Sequence, residues 1–318
     1  MAQQTRLPTH RKSSLRAALF LPVALLLGAC QSLAPLDSDM PAAQQVPDVP
    51  FFPQEAYQCG PAALATVLGS AGVPVDDQAL VDEVWLPARR GSLAMELVAA
   101  ARARARLVYP VNTPQALLQQ LEAGQPVLVM QNLAFSFYPR WHFAVVTGYR
   151  DRGATVVLNT DTREAEPENW NRFVRTWARA DYQGWVVTPP GILPAGARPV
   201  ALVRALEELS GTAGASAATA YWDAAGERFP NDYLVQFALG NHRWAEGRAP
   251  HAIDAWRAAT RARPSEFAAW HNLALALASQ GCDTASALDG ARQSAAGSER
   301  LQQLEQTVAD TPAGESCL

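Results

Sequence analysis

Between residues 51 and 189 the apolar positions switch repeatedly between a helical and a strand period, which predicts one mixed α+β domain. Helical spacing covers 59–68, 76–84, 93–103 and 114–123, the last closed by Gly124 as a C-terminal stop. Strands are predicted over 107–111, 126–130, 142–149, 155–158 and 182–188, where β-branched residues cluster between turn formers. A Pro- and Gly-rich stretch, 190–199, reads as a linker, and a purely helical pattern follows from 200 to 306. Within it Trp222 and Trp256, Ala225 and Ala259, Pro230 and Pro264, Leu239 and Leu273, and Gly247 and Gly281 each stand 34 residues apart. Five coincident pairs at one period predict stacked helical repeats, with one full unit over 233–264, a second beginning at Phe267 and an earlier degenerate one ending at Pro230. Such an array needs about three units to be stable alone, so it is expected to lean on the α+β domain.

The N-terminus departs from both patterns. Arg6, Arg11, Lys12 and Arg16 precede a short apolar run that ends in Leu27-Gly28-Ala29-Cys30, too short for a bilayer span of about 20 residues. These four residues resemble a bacterial lipobox, so 1–29 is expected to be a lipoprotein signal peptide and Cys30 the lipidated residue. Gln31 follows Cys30, which by the analogy of such lipoproteins implies the outer membrane of a Gram-negative envelope, facing the periplasm. The Pro-, Ala- and Gln-rich stretch 30–50 carries no periodic pattern and reads as a tether. Removing the signal segment leaves the remainder more acidic than the whole-chain net charge of −4, so nucleic acid is not expected as a partner.

The chemistry concentrates in two stretches. Cys59, in Gln54-Glu55-Ala56-Tyr57-Gln58-Cys59-Gly60-Pro61, is predicted to begin a helix, because Pro61 suits a first turn. The partial positive charge there favours thiolate over thiol, Gly60 permits a substrate backbone to approach, and the Gln54 amide lies where it can donate to an oxyanion. His142 heads an apolar strand, Trp141-His142-Phe143-Ala144-Val145-Val146, as a positioned general base would. A turn at 151–153 returns the chain so that Asn159 or Asp161 arrives beside His142 as the orienting third member. His242, His251 and His271 lack the tight spacing of a metal site, and no cofactor is expected. Trp170 and Trp177 are candidates for covering the active-site cleft. Cys282 and Cys317 are the pair left once Cys30 and Cys59 have roles, and an oxidising envelope would let them bond and tie down the tail, 307–318.

Taken together, residues 51–189 resemble the papain-like cysteine peptidases that cleave double-glycine leaders. The resemblance implies a papain-like fold of N-terminal helices plus an antiparallel sheet, a peptide or protein substrate cut after small residues, and a Cys59–His142 pair with Gln54 at the oxyanion hole. Its third member usually lies about 16 residues after the histidine; Asn159 lies 17 after and Asp161 19 after, so the resemblance favours Asn159, with Asp161 its rival. Gln54 stands five residues before Cys59, about one closer than in that family. The 34-residue units resemble tetratricopeptide repeats, which implies a protein partner for the helical region. The alternatives are an envelope scaffold with an inactive papain-like domain, and a papain-like amidase or acyltransferase.

Overall fold

The computed structural model describes residues 41–53, 58–89, 91–312 and 317. The signal segment, Cys30, most of the tether and Gln54 lie outside the described residues. The expected α+β region and the helical region that follows are both present. The sheet comprises β1 (Gln44–Gln45), β2 (Leu107–Pro110), β3 (Val127–Asn132), β4 (Trp141–Arg150), β5 (Thr155–Thr160), β6 (Arg163–Asn169) and β7 (Gly184–Thr188). Every pairing is antiparallel and the order is β2-β7-β3-β4-β5-β6, with β1 on β4 beyond the start of β3.

Three helices cover one face: α1 (Cys59–Ser70), α2 (Asp77–Val84) and α3 (Ala94–Ala103). Alternation along the strands explains the layer, because Leu128, Phe143, Val145 and Val187 point into one core with Leu64, Val67 and Leu68 of α1. Helix α1 is apolar nearly all round and is correspondingly buried from Gly60 to Leu68 except at Ala62. Helix α4 (Pro114–Glu122) begins as its sequence predicts, with Thr113 Oγ1 accepting from Ala116 N and Pro114 in the first turn. The opposite face carries α5 (Trp170–Ala178), whose Thr176 hydroxyl accepts a 2.6 Å hydrogen bond from Gln131 of β3.

Two expected boundaries are corrected. The tether does not run free to residue 50. Gln44 and Gln45 pair with Tyr149 and Gly148, Val46 N donates to Thr147 O, and the Val46 side chain is 3% exposed. Gly148 is what admits this strand, since a Cβ there would stand 2.4 Å from Gln44 O. Two residues are too few for a period to reveal, so β1 was illegible in the pattern. Nor is 190–199 a loose linker: Gln120 of α4 exchanges two hydrogen bonds with the Ala195 backbone, and Gln125 donates to Leu193 O. Strand β6 and helix α5 had no expected counterpart; the strand sequence Arg-Glu-Ala-Glu-Pro-Glu-Asn is an exposed sheet edge guarded by charge and proline.

The helical region comprises α6 (Pro199–Ala213), α7 (Ala215–Arg228), α8 (Tyr233–Ala245), α9 (Ala249–Ala262), α10 (Phe267–Ser279), α11 (Ala285–Ser294) and α12 (Glu299–Asp310). Gly247 and Gly281, 34 residues apart, close turns with φ of 74° and 67°, where a side chain would be strained. The region does lean on the sheet. The Tyr221 hydroxyl of α7 accepts from Leu107 N and donates to Thr188 O, joining β2 and β7, and Arg102 of α3 pairs with Glu208 of α6. Cys282 and Cys317 are bonded, S–S 2.07 Å, which pins residue 317 to the turn after α10.

Candidate active site

Cys59 is the first residue of α1, and Gln58 before it provides no side-chain cap. The first-turn amides, which have no partner inside a helix, are thereby left to the neighbourhood of the thiol. Burial pushes the Cys59 thiol up from its ordinary range; the backbone amides of Phe143, Gly60 and Cys59 itself pull it down, and the Asp161 carboxylate pushes it further up. Burial wins, so the resting group is the neutral thiol rather than the thiolate expected from the helix terminus alone. Gly60 answers to packing rather than to substrate: a Cβ on it would stand 2.5 Å from the Ser92 side chain, on the chain entering α3.

His142 is the second residue of β4 and is largely buried. Burial lowers its pKa, the Asp161 carboxylate opposes that, and Arg140 and Arg163 reinforce it, so the resting imidazole is neutral. Its Nε2 lies 2.7 Å from Thr160 Oγ1 and 3.9 Å from Asp161 Oδ1. With Nε2–H donating to the threonine hydroxyl, the ring lone pair falls on Nδ1.

Asn159, Thr160 and Asp161 end β5 and open the turn into β6. Asp161 has φ of 51°, a left-handed position that Asp tolerates better than most residues. The three residues line one small cavity with Cys59, Phe51, Phe52, Ala62, Ala63, Thr66 and Phe143. Asn159 is buried there, and its Oδ1 accepts from Ala165 N at 3.0 Å, a bond that braces the β5–β6 turn. The structure therefore brings Cys59, Asn159 and Asp161 to one cavity and sets His142 against Thr160 and Asp161. No hydrogen bond joins the Cys59 thiol to His142 among the described residues. The pleat gives the reason: Phe143 shares the α1 face with Cys59, whereas His142 pairs with Gln131, whose amide bonds α5 on the other face. Thiol and imidazole thus reach the 160–161 turn from two sides of the same strand end.

Thr160 is the contact that sequence reasoning missed. A threonine between an asparagine and an aspartate carries no signal of its own, and only the cross-strand geometry singles it out. Trp170 and Trp177 do not cover the cleft. Both are buried under α5, where Phe173 packs between them, Trp177 meets Tyr182 edge-on at 5.2 Å and its Nε1 donates to Gln183 O. Their helical spacing of seven reflects a core stripe.

No curated protein matches the chain at a significant level. Among the solved structures that resemble it are the following three. A Bacillus anthracis structure assigned as a C39-like peptidase is 17% identical, covering 46% of this chain and 97% of its own, with a TM-score of 0.39. The peptidase domain of Streptococcus ComA, a bifunctional ABC transporter of a quorum-sensing pathway, is 19% identical over 44% of this chain and 98% of its own, TM-score 0.37. A double-glycine motif protease from an AMS/PCAT transporter, solved with its leader peptide, is 22% identical over 46% of this chain and 98% of its own, TM-score 0.34. Residues 46–185, somewhat under half of the chain, match the family described as Peptidase_C39 like family, beginning at the buried Val46 and ending inside β7; this region is similar to C39-like peptidases, which is consistent with a cysteine peptidase.

Proposed function

We propose that the chain is a lipid-anchored cysteine peptidase that hydrolyses peptide bonds after small residues, with Cys59 as nucleophile and His142 as base. The observation that carries this reading is the hold on His142 Nε2 by Thr160 and Asp161, on the turn that also lines the Cys59 cavity. That hold leaves Nδ1 to take the thiol proton as Sγ attacks the scissile carbonyl carbon. The oxyanion formed is met by first-turn amides of α1 and the Gln54 side chain. When the intermediate collapses, His142 returns the proton to the leaving amine and Cys59 keeps the acyl group as a thioester. Water, deprotonated by the same imidazole, then releases the acid.

In this reading Cys30 carries the lipid and places the domain in the envelope, and the 34-residue units act as tetratricopeptide-like repeats toward a protein partner. Radiolabelled palmitate should mark wild type and not Cys30→Ala; equal label in both removes the anchor.

The missing thiol–imidazole bond and the two neutral resting groups favour a second reading, an inactive scaffold. Alkylation of Cys59 by iodoacetamide, followed from pH 5 to 10, together with labelling by a peptidyl acyloxymethyl ketone, separates the two. For a peptidase with a buried neutral pair, small-reagent alkylation keeps rising above pH 9, while the peptidyl reagent labels at neutral pH and loses that label in Cys59→Ala and His142→Ala. A peptidyl label that survives His142→Ala, or never appears, sinks the peptidase reading.

A further inference from the structure

The hairpin joining β3 to β4, Leu133-Ala134-Phe135-Ser136-Phe137-Tyr138-Pro139-Arg140-Trp141, puts apolar rings into water. Phe137 is 85% exposed, Tyr138 76%, Phe135 66% and Trp141 51%, and Leu133 is exposed as well. Half of the ten exposed large hydrophobic side chains among the described residues fall in these nine positions. A patch of this kind on a folded surface marks a binding site.

The hairpin is also built to hold its rings out. Asn132 Oδ1 accepts from both Ala134 N and Arg140 N at 3.0 Å, and its Nδ2 donates to Phe135 O. Leu133 N donates to Arg140 O, and Tyr138 N to Phe135 O. From the cap of α5 the Arg179 guanidinium clamps Asn132 O with two bonds, and the Phe135 and Phe137 rings stack at 5.3 Å. Ordering cost is therefore met before any partner arrives. Arg140 is the one charged residue of the hairpin, and its guanidinium makes no ion pair among the described residues, so the patch is apolar with a single unmatched positive charge.

We infer that this hairpin docks the substrate segment C-terminal to the scissile bond, a polypeptide stretch with apolar side chains next to a carboxylate that meets Arg140. The inference rests on the peptidase reading above. Its direction follows from the chemistry: the acyl half stays on Cys59, and the amine half leaves toward the acid that protonates it, His142. Trp141 directly precedes His142, so along β4 the order is Phe143 at the thiol, His142, then the aromatic hairpin. A polypeptide is favoured over a lipid surface because the chain enters the domain at the other end of β4, where Gln44 pairs with Tyr149 and Arg152 N donates to Ala42 O. A strand of ten residues, about 33 Å, separates that entry from the hairpin.

The test selects peptides from a displayed random library on full-chain Cys59→Ala protein, which binds without cutting. Selected peptides should carry apolar residues beside Asp or Glu and bind Cys59→Ala/Phe137→Ser/Tyr138→Ser roughly 10–30-fold more weakly. Arg140→Glu should turn the acidic preference toward basic residues. Wild type should cut the selected peptides on the N-terminal side of the motif. Selected peptides that bind the triple variant equally well overturn the inference. So does loss of binding to phosphatidylglycerol vesicles in that variant with no change in peptide binding, which assigns the patch to a membrane. Cuts on the C-terminal side of the motif overturn its direction. Hairpin-dependent binding with no cutting and no Cys59 labelling overturns the catalytic reading instead, and leaves a peptide-binding hairpin.

Discussion

At the scale of single residues the third member of the triad is where spacing and geometry point to different atoms. Counting from the histidine favours Asn159, yet Asn159 spends its carbonyl oxygen on Ala165 N, while Thr160 Oγ1 and Asp161 Oδ1 face the imidazole. Under the proposed mechanism Thr160→Val and Asp161→Ala should lower kcat, with the double variant losing on the order of 10²–10⁴-fold, the range seen when the group that fixes a catalytic imidazole is changed. Asn159→Ala should act first on stability, by about 1 kcal/mol for a braced turn, with a smaller effect on kcat. Peptide turnover and urea midpoints measured on all four variants check this. Asn159→Ala giving the largest kcat loss at unchanged midpoint would restore the counted assignment. The left-handed Asp161 adds that a β-branched residue there should cost stability whatever its charge.

At the scale of elements, β1 shows how little sequence a strand needs when its place is prepared. Gly148 leaves the gap, Gln44 reaches Leu121 O of α4 with its side-chain amide at 3.2 Å, and Val46 fills the core. Gly148→Ala should release β1 and cost about 1–3 kcal/mol, the usual price of overpacking a buried site. The readout is a lower denaturant midpoint together with faster exchange of the Val46 amide, which is bonded to Thr147 O. Unchanged protection of Val46 would mean that β1 tolerates the methyl by shifting. Helix α1 is the opposite case: its apolar run and Pro61 were enough to announce it, and the Cys59–Ser70 helix begins at the expected residue.

At the scale of the whole molecule the sheet and the helical region share contacts at Tyr221 and at the Arg102–Glu208 pair, so they are expected to unfold together. Each region buries a neutral histidine. His242 of α8 stacks on Trp222 at 5.5 Å, and burial lowers its pKa; Glu246 and Asp223 oppose the shift, while Arg248 and Arg243 add to it. His142 is lowered likewise. The unfolded chain protonates both near the ordinary 6.5, before the folded chain does. Stability is therefore full above about pH 6.5 and is lost as the pH falls toward the folded values. Burial raises Glu168 and Glu207 from 4.5, which works in the opposite sense as those groups protonate. The histidine contribution is isolated by comparing Tm at pH 7 and pH 5.5 for wild type and His242→Gln. The fall should be smaller in the variant, with one transition in each case. An identical fall, or two transitions in wild type, contradicts this account.

What the amino-acid order determined by itself is whatever rests on local period and local chemistry. Four of the five helices of the first region, five of its seven strands, the helix-start cysteine, the strand-head histidine and the 34-residue spacing each rest on one element or one turn, where apolar periodicity and proline or glycine placement act directly. The tertiary structure alone decided what depends on residues far apart in the chain. A two-residue strand exists because Gly148 makes room for it, the charged β6 exists because β5 offers an edge, and the segment 190–199 is held because Gln120 of α4 and Gln125 just beyond that helix bond its backbone. The same holds at the site. A one-residue change of offset moves a side chain to the other face of a strand, so counting along the chain could name Asn159 and Asp161 but could not say which of them, or the intervening Thr160, meets the imidazole.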